Sequence, residues 1–163
     1  IGFQALDEST DTTALTNATY TDANTNDVMG APDAANLTVG NVAQTVYFTD
    51  LSLQVTSNLR NQNAVGNLYS VGIGYGIREV TTSETVYFDT NSKQMYDDFV
   101  GGTEASLSFD ATDGTNTYNF NLPRIKYSSG QVVAGGNNQD LLAELSAQGL
   151  LDSGTSTDIQ ITN

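Results

Sequence analysis

Long segments of strict two-residue alternation constrain this chain more than any other feature. Leu51, Leu53 and Val55 alternate with Ser52, Gln54 and Thr56, and farther on Val80, Thr82, Glu84, Val86 and Phe88 alternate with Thr81, Ser83, Thr85 and Tyr87. Successive side chains point to opposite faces only in a pleated strand, so each segment is a β-strand with one face buried and one polar. The first is expected from Val46 to about Leu59, the second over residues 77 to 89. Ala105, Leu107, Phe109 and Ala111 repeat the pattern, Asp113-Gly114 reverses the chain, and Tyr118, Phe120 and Leu122 carry it toward Pro123, which predicts a hairpin. Leu141, Ala143, Leu145 and Ala147 alternate as well and read as a strand among strands, and Ile159 and Ile161 close the chain as a short edge strand. One helix is expected, with Asn91 or Ser92 as N-cap, Met95, Tyr96, Phe99 and Val100 at helical spacing, and Gly101-Gly102 as the stop. The fold class is therefore all-β, a β-sandwich or open barrel with one short helix.

Between the strands, Arg60-Asn-Gln-Asn63 reads as a polar connection and Val65 to Gly76 as a long exposed loop or bulged strand. Residues 1–45 hold six acidic residues and no Lys or Arg, with apolar residues too scattered for either period. They are expected to form an N-terminal arm or long loop, in which a segment such as Val28 to Pro32 is able to dock on a neighbour. Residues 46–163 form the β-sandwich domain. The total of 163 residues suits one core of ordinary size. The start at Ile1 rather than Met leaves open a processed product, a trimmed chain or a segment of something longer.

Composition narrows the functions. The chain has 5 basic and 19 acidic residues, a net charge of −14, with no cysteine and no histidine. That field repels nucleic-acid phosphates and anionic lipid, so neither specific DNA binding nor a membrane partner is expected. Disulfides, thiol nucleophiles, zinc sites of the usual ligands and Ser-His-Asp triads are all excluded by residue type. The spacing of Asp110, Asp113 and Asn116 resembles a calcium loop but lacks its distal Glu and reads as a hairpin turn. Asp97-Asp98 reads as a solvated helix face, and the sequons at Asn17 and Asn36 carry little weight. No nucleophile, base and orienting group assemble, so the chain is expected to be no enzyme, with no cofactor and no metal. The few cations, with the acid beside one of them, are the candidate subunit contacts: Arg60, Arg78, Glu79, Arg124 and Lys126. They are either solvated or meet acidic residues of a neighbouring copy.

Four ordered stretches carry a resemblance: Leu51 to Arg60 with Val65-Gly66; Gly76 to Thr81 running into Val86-Tyr87-Phe88; Phe99 to Phe109 through Gly101-Gly102; and Leu122-Pro123-Arg124-Ile125-Lys126-Tyr127. Over residues 46–148 the chain resembles the second half of tail tube (major tail) proteins of long, non-contractile-tailed bacteriophages. The resemblance implies a self-assembling structural subunit, whose copies join their inner sheets into a continuous barrel. Rings of six subunits, or of three carrying two such domains each, stack into a tube whose lumen conducts double-stranded DNA into the host without binding it specifically. It further implies tape measure and tail terminator proteins as partners, and the virion tail as location after assembly in the host cytoplasm. On that reading Ser52, Gln54, Thr56, Thr81, Ser83 and Thr85 are the candidate lumen-facing residues, and 60–76 is the loop that reaches the next ring. Like charge is expected to keep subunits apart at low salt and to be screened at high salt. The competing reading is a surface-exposed carbohydrate-binding or adhesin-type β-sandwich module.

Overall fold

A computed structural model describes residues 30–163; the rest of the expected arm, with the Asn17 sequon and Val28, lies outside the described residues. The described chain contributes to two compact units, the larger combining Asp27–Thr56 with Glu79–Asn163 and the smaller containing Ser57–Arg78. Nine strands are described: β1 (Ala34–Val39), β2 (Phe48–Thr56), β3 (Arg60–Gln62), β4 (Gly72–Gly74), β5 (Glu79–Tyr87), β6 (Glu104–Thr112), β7 (Thr117–Ala134), β8 (Leu141–Gly149) and β9 (Gln160–Thr162). One α-helix, α1 (Lys93–Gly101), lies between β5 and β6, and a 3-10 turn (Ala31–Asp33) precedes β1.

In the larger unit the strands follow the order β1-β6-β7-β8-β5-β2, with β9 beside β7, and every neighbouring pair is antiparallel. The 18-residue β7 belongs to two sets of strands. Its first half pairs with β6, from Thr117 opposite Thr112 to Lys126 opposite Glu104, and its second half pairs with β8, from Ile125 opposite Gly149 to Ala134 opposite Leu141. Two bulges flank the overlap. Pro123 and Arg124 together face the single residue Ser106, and Ser128 is an extra residue between the Tyr127–Ala147 and Ser129–Ser146 pairs. A bulge bends its strand, which is how a strand turns the corner from one layer to another. Proline, which has no N–H for a ladder, is tolerated at such a point.

The bend brings two inner faces together. Leu107 and Leu122 from one set and Val80, Val86, Ala143 and Leu145 from the other belong to one buried cluster, with Met95 of α1 fully buried among them. The alternation predicted on β5 holds residue by residue, with Val80, Thr82, Glu84 and Val86 buried between more exposed neighbours. The ambiguous run after Asp140 is a strand that buries Ala143, Leu145 and Ala147, and Asp113-Gly114 is a hairpin turn in which the Asp113 carboxylate accepts the amides of Thr115 and Asn116.

Four local expectations need correction. A strand, β1, lies within the stretch read as arm or loop; Asn36 at φ 51 and a register shift between Ala35 and Thr38 confine its alternation to Leu37 and Val39. The connection at Arg60–Gln62 is itself a strand, paired with Gly72–Gly74 in the smaller unit. Val55 is exposed rather than in line with Leu51 and Leu53 at the end of β2. The Asp97-Asp98 pair divides: Asp97 is exposed and paired with Lys93, while Asp98 is buried, accepting Gln94 Nε2 at 2.8 Å and Asn41 Nδ2 at 3.2 Å. Consecutive helical residues are rotated by about 100°, so one reaches solvent and the other the core side.

Helix α1 begins after Ser92, whose Oγ donates to the Tyr87 carbonyl, and ends on Gly102 in the left-handed conformation (φ 64). It seats on β7 through Phe99, against Gly130: a Cβ there would lie 2.8 Å from Phe99 Cδ1 and 3.2 Å from Leu145 Cδ2. Gly130→Ala is therefore expected to destabilise the larger unit by about 1–3 kcal/mol through overpacking, lowering Tm by several degrees in a thermal melt. An unchanged Tm would show that α1 does not depend on this close approach.

Candidate functional site

Because residues directly opposite one another share a face, the register of β2, β5, β8 and the second half of β7 assembles the polar positions into rows. One row is Ser52, Ser83, Ser146 and Ser129, four serines on four adjacent strands. Toward one end of the strands it is flanked by Asp50, Thr85, Glu144 and Gln131, and toward the other by Gln54, Thr81, Gln148 and Lys126. Thr56, opposite Glu79, closes β2. The six polar residues singled out on the first two strands thus lie along one sheet face by register. Asp50, Ser129, Gln131, Glu144, Ser146 and Gln148 were missed. Those on β8 were legible as the polar half of its alternation, but those on β7 were hidden by the Ser128 bulge.

This four-stranded set ends in two open edges. Among the described residues, no strand lies beyond β2, and none pairs with residues 127–134 of β7 on the side away from β8. Unpaired backbone N–H and C=O groups on an edge are a template for another strand.

The candidate contact residues separate. Arg124 is held within its own chain: Nη2 and Nε donate to Glu104 Oε1 and Oε2 at 2.6 and 2.7 Å, and Nη1 donates to the Leu151 carbonyl at 3.1 Å. That fork lowers the Glu104 pKa, the Arg124 hydrogen bonds first and the charges of Arg124 and Lys126 after. Lys126 pairs in register with Glu104 on the adjoining strand, and Glu79 is exposed at the start of β5. Arg60 and Arg78 belong to the smaller unit, where Arg60 opposes Gly74. Among the described residues no three His, Cys, Asp or Glu side chains stand close enough to hold a metal ion, and no helix is long and apolar enough to cross a membrane.

Beneath the polar face lies a buried carboxyl group. Glu84 is 2 % exposed; its Oε1 accepts the Thr82 hydroxyl at 3.0 Å, while Oε2 and the buried Tyr127 hydroxyl have no hydrogen-bond partner. Burial pushes the Glu84 pKa up to about 7 against weaker lowering by the Thr82 hydroxyl, and burial, followed by the charges of Glu84 and Asp98, raises that of Tyr127.

A family model described as phage tail tube protein matches residues 1–149. No curated protein matches the sequence. Among solved structures, the SPP1 tail tube is 12% identical over 74% of this chain and 75% of that one, with a TM-score of 0.55. The tail of an empty GTA particle, with C6 symmetry, is 11% identical over 83% of this chain and all (100%) of that one, with a TM-score of 0.56. The sheath/tube terminator of an extracellular contractile injection system is 11% identical over 86% of this chain and 100% of that one, with a TM-score of 0.61. At such identities the likeness is one of fold. Because it extends to a contractile system, the fold by itself does not single out a non-contractile machine.

Glu84 also sets a pH dependence. An acid whose pKa rises on folding binds a proton more tightly in the native state, so its stabilising share is present below the unfolded value, 4.5, and is lost as pH rises through about 7. Native stability is expected to fall by about 3 kcal/mol from this group between roughly pH 5 and 8. Glu84→Gln, isosteric and always neutral, should flatten that slope in denaturant unfolding across the same range. A variant that kept the full slope would assign it to other groups.

Proposed function

The chain belongs to the phage tail tube protein family, a family of virion structural proteins, and from that premise we propose that its copies join edge to edge into rings, stacked as the tube of a long, non-contractile tail that conducts the genome. The observation that carries this reading is the pair of open edges on a set with an even number of strands. Every neighbouring pair in β7-β8-β5-β2 is antiparallel, so the two edge strands run in opposite directions. Residues 127–134 of one copy therefore meet β2 of the next in antiparallel sense, and a head-to-tail contact of this kind closes when the rotation between copies divides a circle. Closure satisfies both edges, which would otherwise invite uncontrolled pairing.

Joined in this way, the rows of polar side chains become belts around a lumen: Ser52, Ser83, Ser146 and Ser129 in one, Gln54, Thr81, Gln148 and Lys126 in the next, Asp50, Thr85, Glu144 and Gln131 in the third, and Thr56 at the rim. Uncharged and acidic groups offer a phosphate no lasting hold, so double-stranded DNA slides past them. Lys126, the cation in these rows, stands beside Glu104. Six copies complete a ring, or three if the chain is half of a duplicated subunit. In the smaller unit, the segment 60–76 exposes Val65, Leu68 and Tyr75 and serves as the reach to the next ring, with Arg60 and Arg78 meeting acidic residues there. Glu79 and Lys126 lie inside the sheet by register and Arg124 is held by Glu104 of its own chain, so the edges 127–134 and β2, rather than these charges, carry the contact between copies. The subunit is structural and non-enzymatic, assembles in the host cytoplasm, ends in the virion tail, and works with tape measure and terminator proteins.

Two experiments test the reading. Negative-stain microscopy of the purified chain should show more rings and tubes as added salt screens the charge of −14, and assembly that weakened steadily with salt would count against it. Tubes built from a Ser83→Lys, Ser146→Lys chain should form and retain double-stranded DNA at low salt, about tenfold or more above unmodified tubes, with the excess lost at high salt. Equal retention would place this face away from the lumen.

A further inference from the structure

The bend of β7 closes the larger unit on one side only. On the other side, where the sheet path ends in β1 and β2, an apolar groove of about 470 Å³ opens between those strands, lined by Leu37, Val46, Phe48, Leu51, Leu53 and Phe109. Leu37, Phe48, Leu51 and Leu53 pack on the core yet are only partly buried. Tyr47 and Thr49 also border it, and no basic residue does.

The matching relief lies on the far edge. Helix α1 packs on β7 with Phe99 over Gly130, and its outer surface carries Tyr96, half-buried between Phe88 and Phe99, followed one turn later by Val100, 68% exposed. The chain's own helix does not fill the groove, because β8 and β5 stand between β7 and β2, a span of three strand spacings or roughly 14 Å. Resting on the edge-to-edge ring proposed above, we infer that the groove between β1 and β2 receives the Tyr96–Val100 face of helix α1 from the next copy.

Three observations favour a second copy over other occupants. Joining 127–134 of one copy to β2 of the next carries the helix under the first edge to the groove under the second, so the two contacts are continuous. The lengths agree: α1 starts where Ser92 bonds the Tyr87 carbonyl, close to the Phe48–Val86 pair, and ends where Gly102 meets Lys126, in the row of Gln54. The surfaces agree too, since exposed Val100 and half-buried Tyr96 are as apolar as Leu37, Phe48, Leu51 and Leu53 on the groove wall. The strand contact then sets direction, and the helix excludes water from the half-covered margin of the core.

The absence of cysteine permits a direct test. Val100→Cys and Leu53→Cys chains, mixed, assembled and treated with a short bifunctional maleimide, should give cross-linked dimers that neither chain gives alone. Val100→Asp should keep the unmodified Tm, since Val100 is exposed, but lose about tenfold or more in tube yield. Tubes that form normally with Val100→Asp, or a mixture that forms tubes without the cross-link, would overturn the inference and leave the edge-joined ring standing. If even the unmodified chain forms no ring or tube at any salt concentration, the ring reading and this inference both fall.

Discussion

The larger unit depends on one strand being hydrogen-bonded to two different sets of partners. β7 is long enough to ladder with β6 over its first half and β8 over its second, and the bulges at Pro123-Arg124 and Ser128 sit on either side of Ile125 and Lys126, the residues paired on both flanks. Without the bend the two inner faces would lie along one extended sheet and Leu107 and Leu122 would not share a core with Val80 and Val86. With it, the burial of that core and the seat for α1 come from the same geometry, because Gly130 lies just past the second bulge. The same bend leaves the opposite side unclosed, which is where the open edge of β2 and the apolar groove are found.

The distribution of polarity follows from having few charges and spending them outside the core. Ser, Thr, Gln and Asn cover the sheet face, and the ion pairs of Lys93 with Asp97 and of Arg124 with Glu104 are solvent-exposed and contribute little to stability in themselves. Asp98 and Glu84 are the buried exceptions among the described residues. Asp98 accepts hydrogen bonds from Gln94 and Asn41, whereas Glu84 occupies a position that the alternation of β5 reserves for apolar residues, and its proton affinity rises because water is excluded. A buried carboxyl group next to an unsatisfied tyrosine hydroxyl is a cost to the native state, offset by the apolar burial of Leu145, Val80 and Val86 around it.

Legibility varied with how much of each element was local. The alternations of β6 and β8, and that of β5 apart from Thr82 and Glu84, were readable because apolar residues recur at every second position and the extra residues of the bulges fall in β7 rather than in these strands, and α1 was readable because its apolar spacing ends in Gly101-Gly102. β1 was not readable, since the irregularity at Asn36, in a left-handed conformation, leaves only Leu37 and Val39 to carry a period. The continuation of β7 past Pro123 was hidden for the same kind of reason: proline and the Ser128 insertion shift the phase, although the pairing continues across both. The separate fates of Asp97 and Asp98 depended on which side of the helix met Asn41, a residue far away in the chain.

Taken alone, the sequence determined the class of fold, the two-faced character of its strands, the cation-poor surface and the absence of thiol and imidazole chemistry, because these follow from residue type and from a period that backbone geometry imposes on neighbours. Which strands lie side by side, and so which polar residues line up in rows, was decided only by tertiary structure. The partners of Ser52 are Ser83, Ser146 and Ser129, and nothing in the local pattern of any one strand encodes that register. It is fixed by the fit of apolar faces and by bulges that add a residue to one strand against its neighbour, and the open edges, the groove and the ridge that suits it are consequences of that packing.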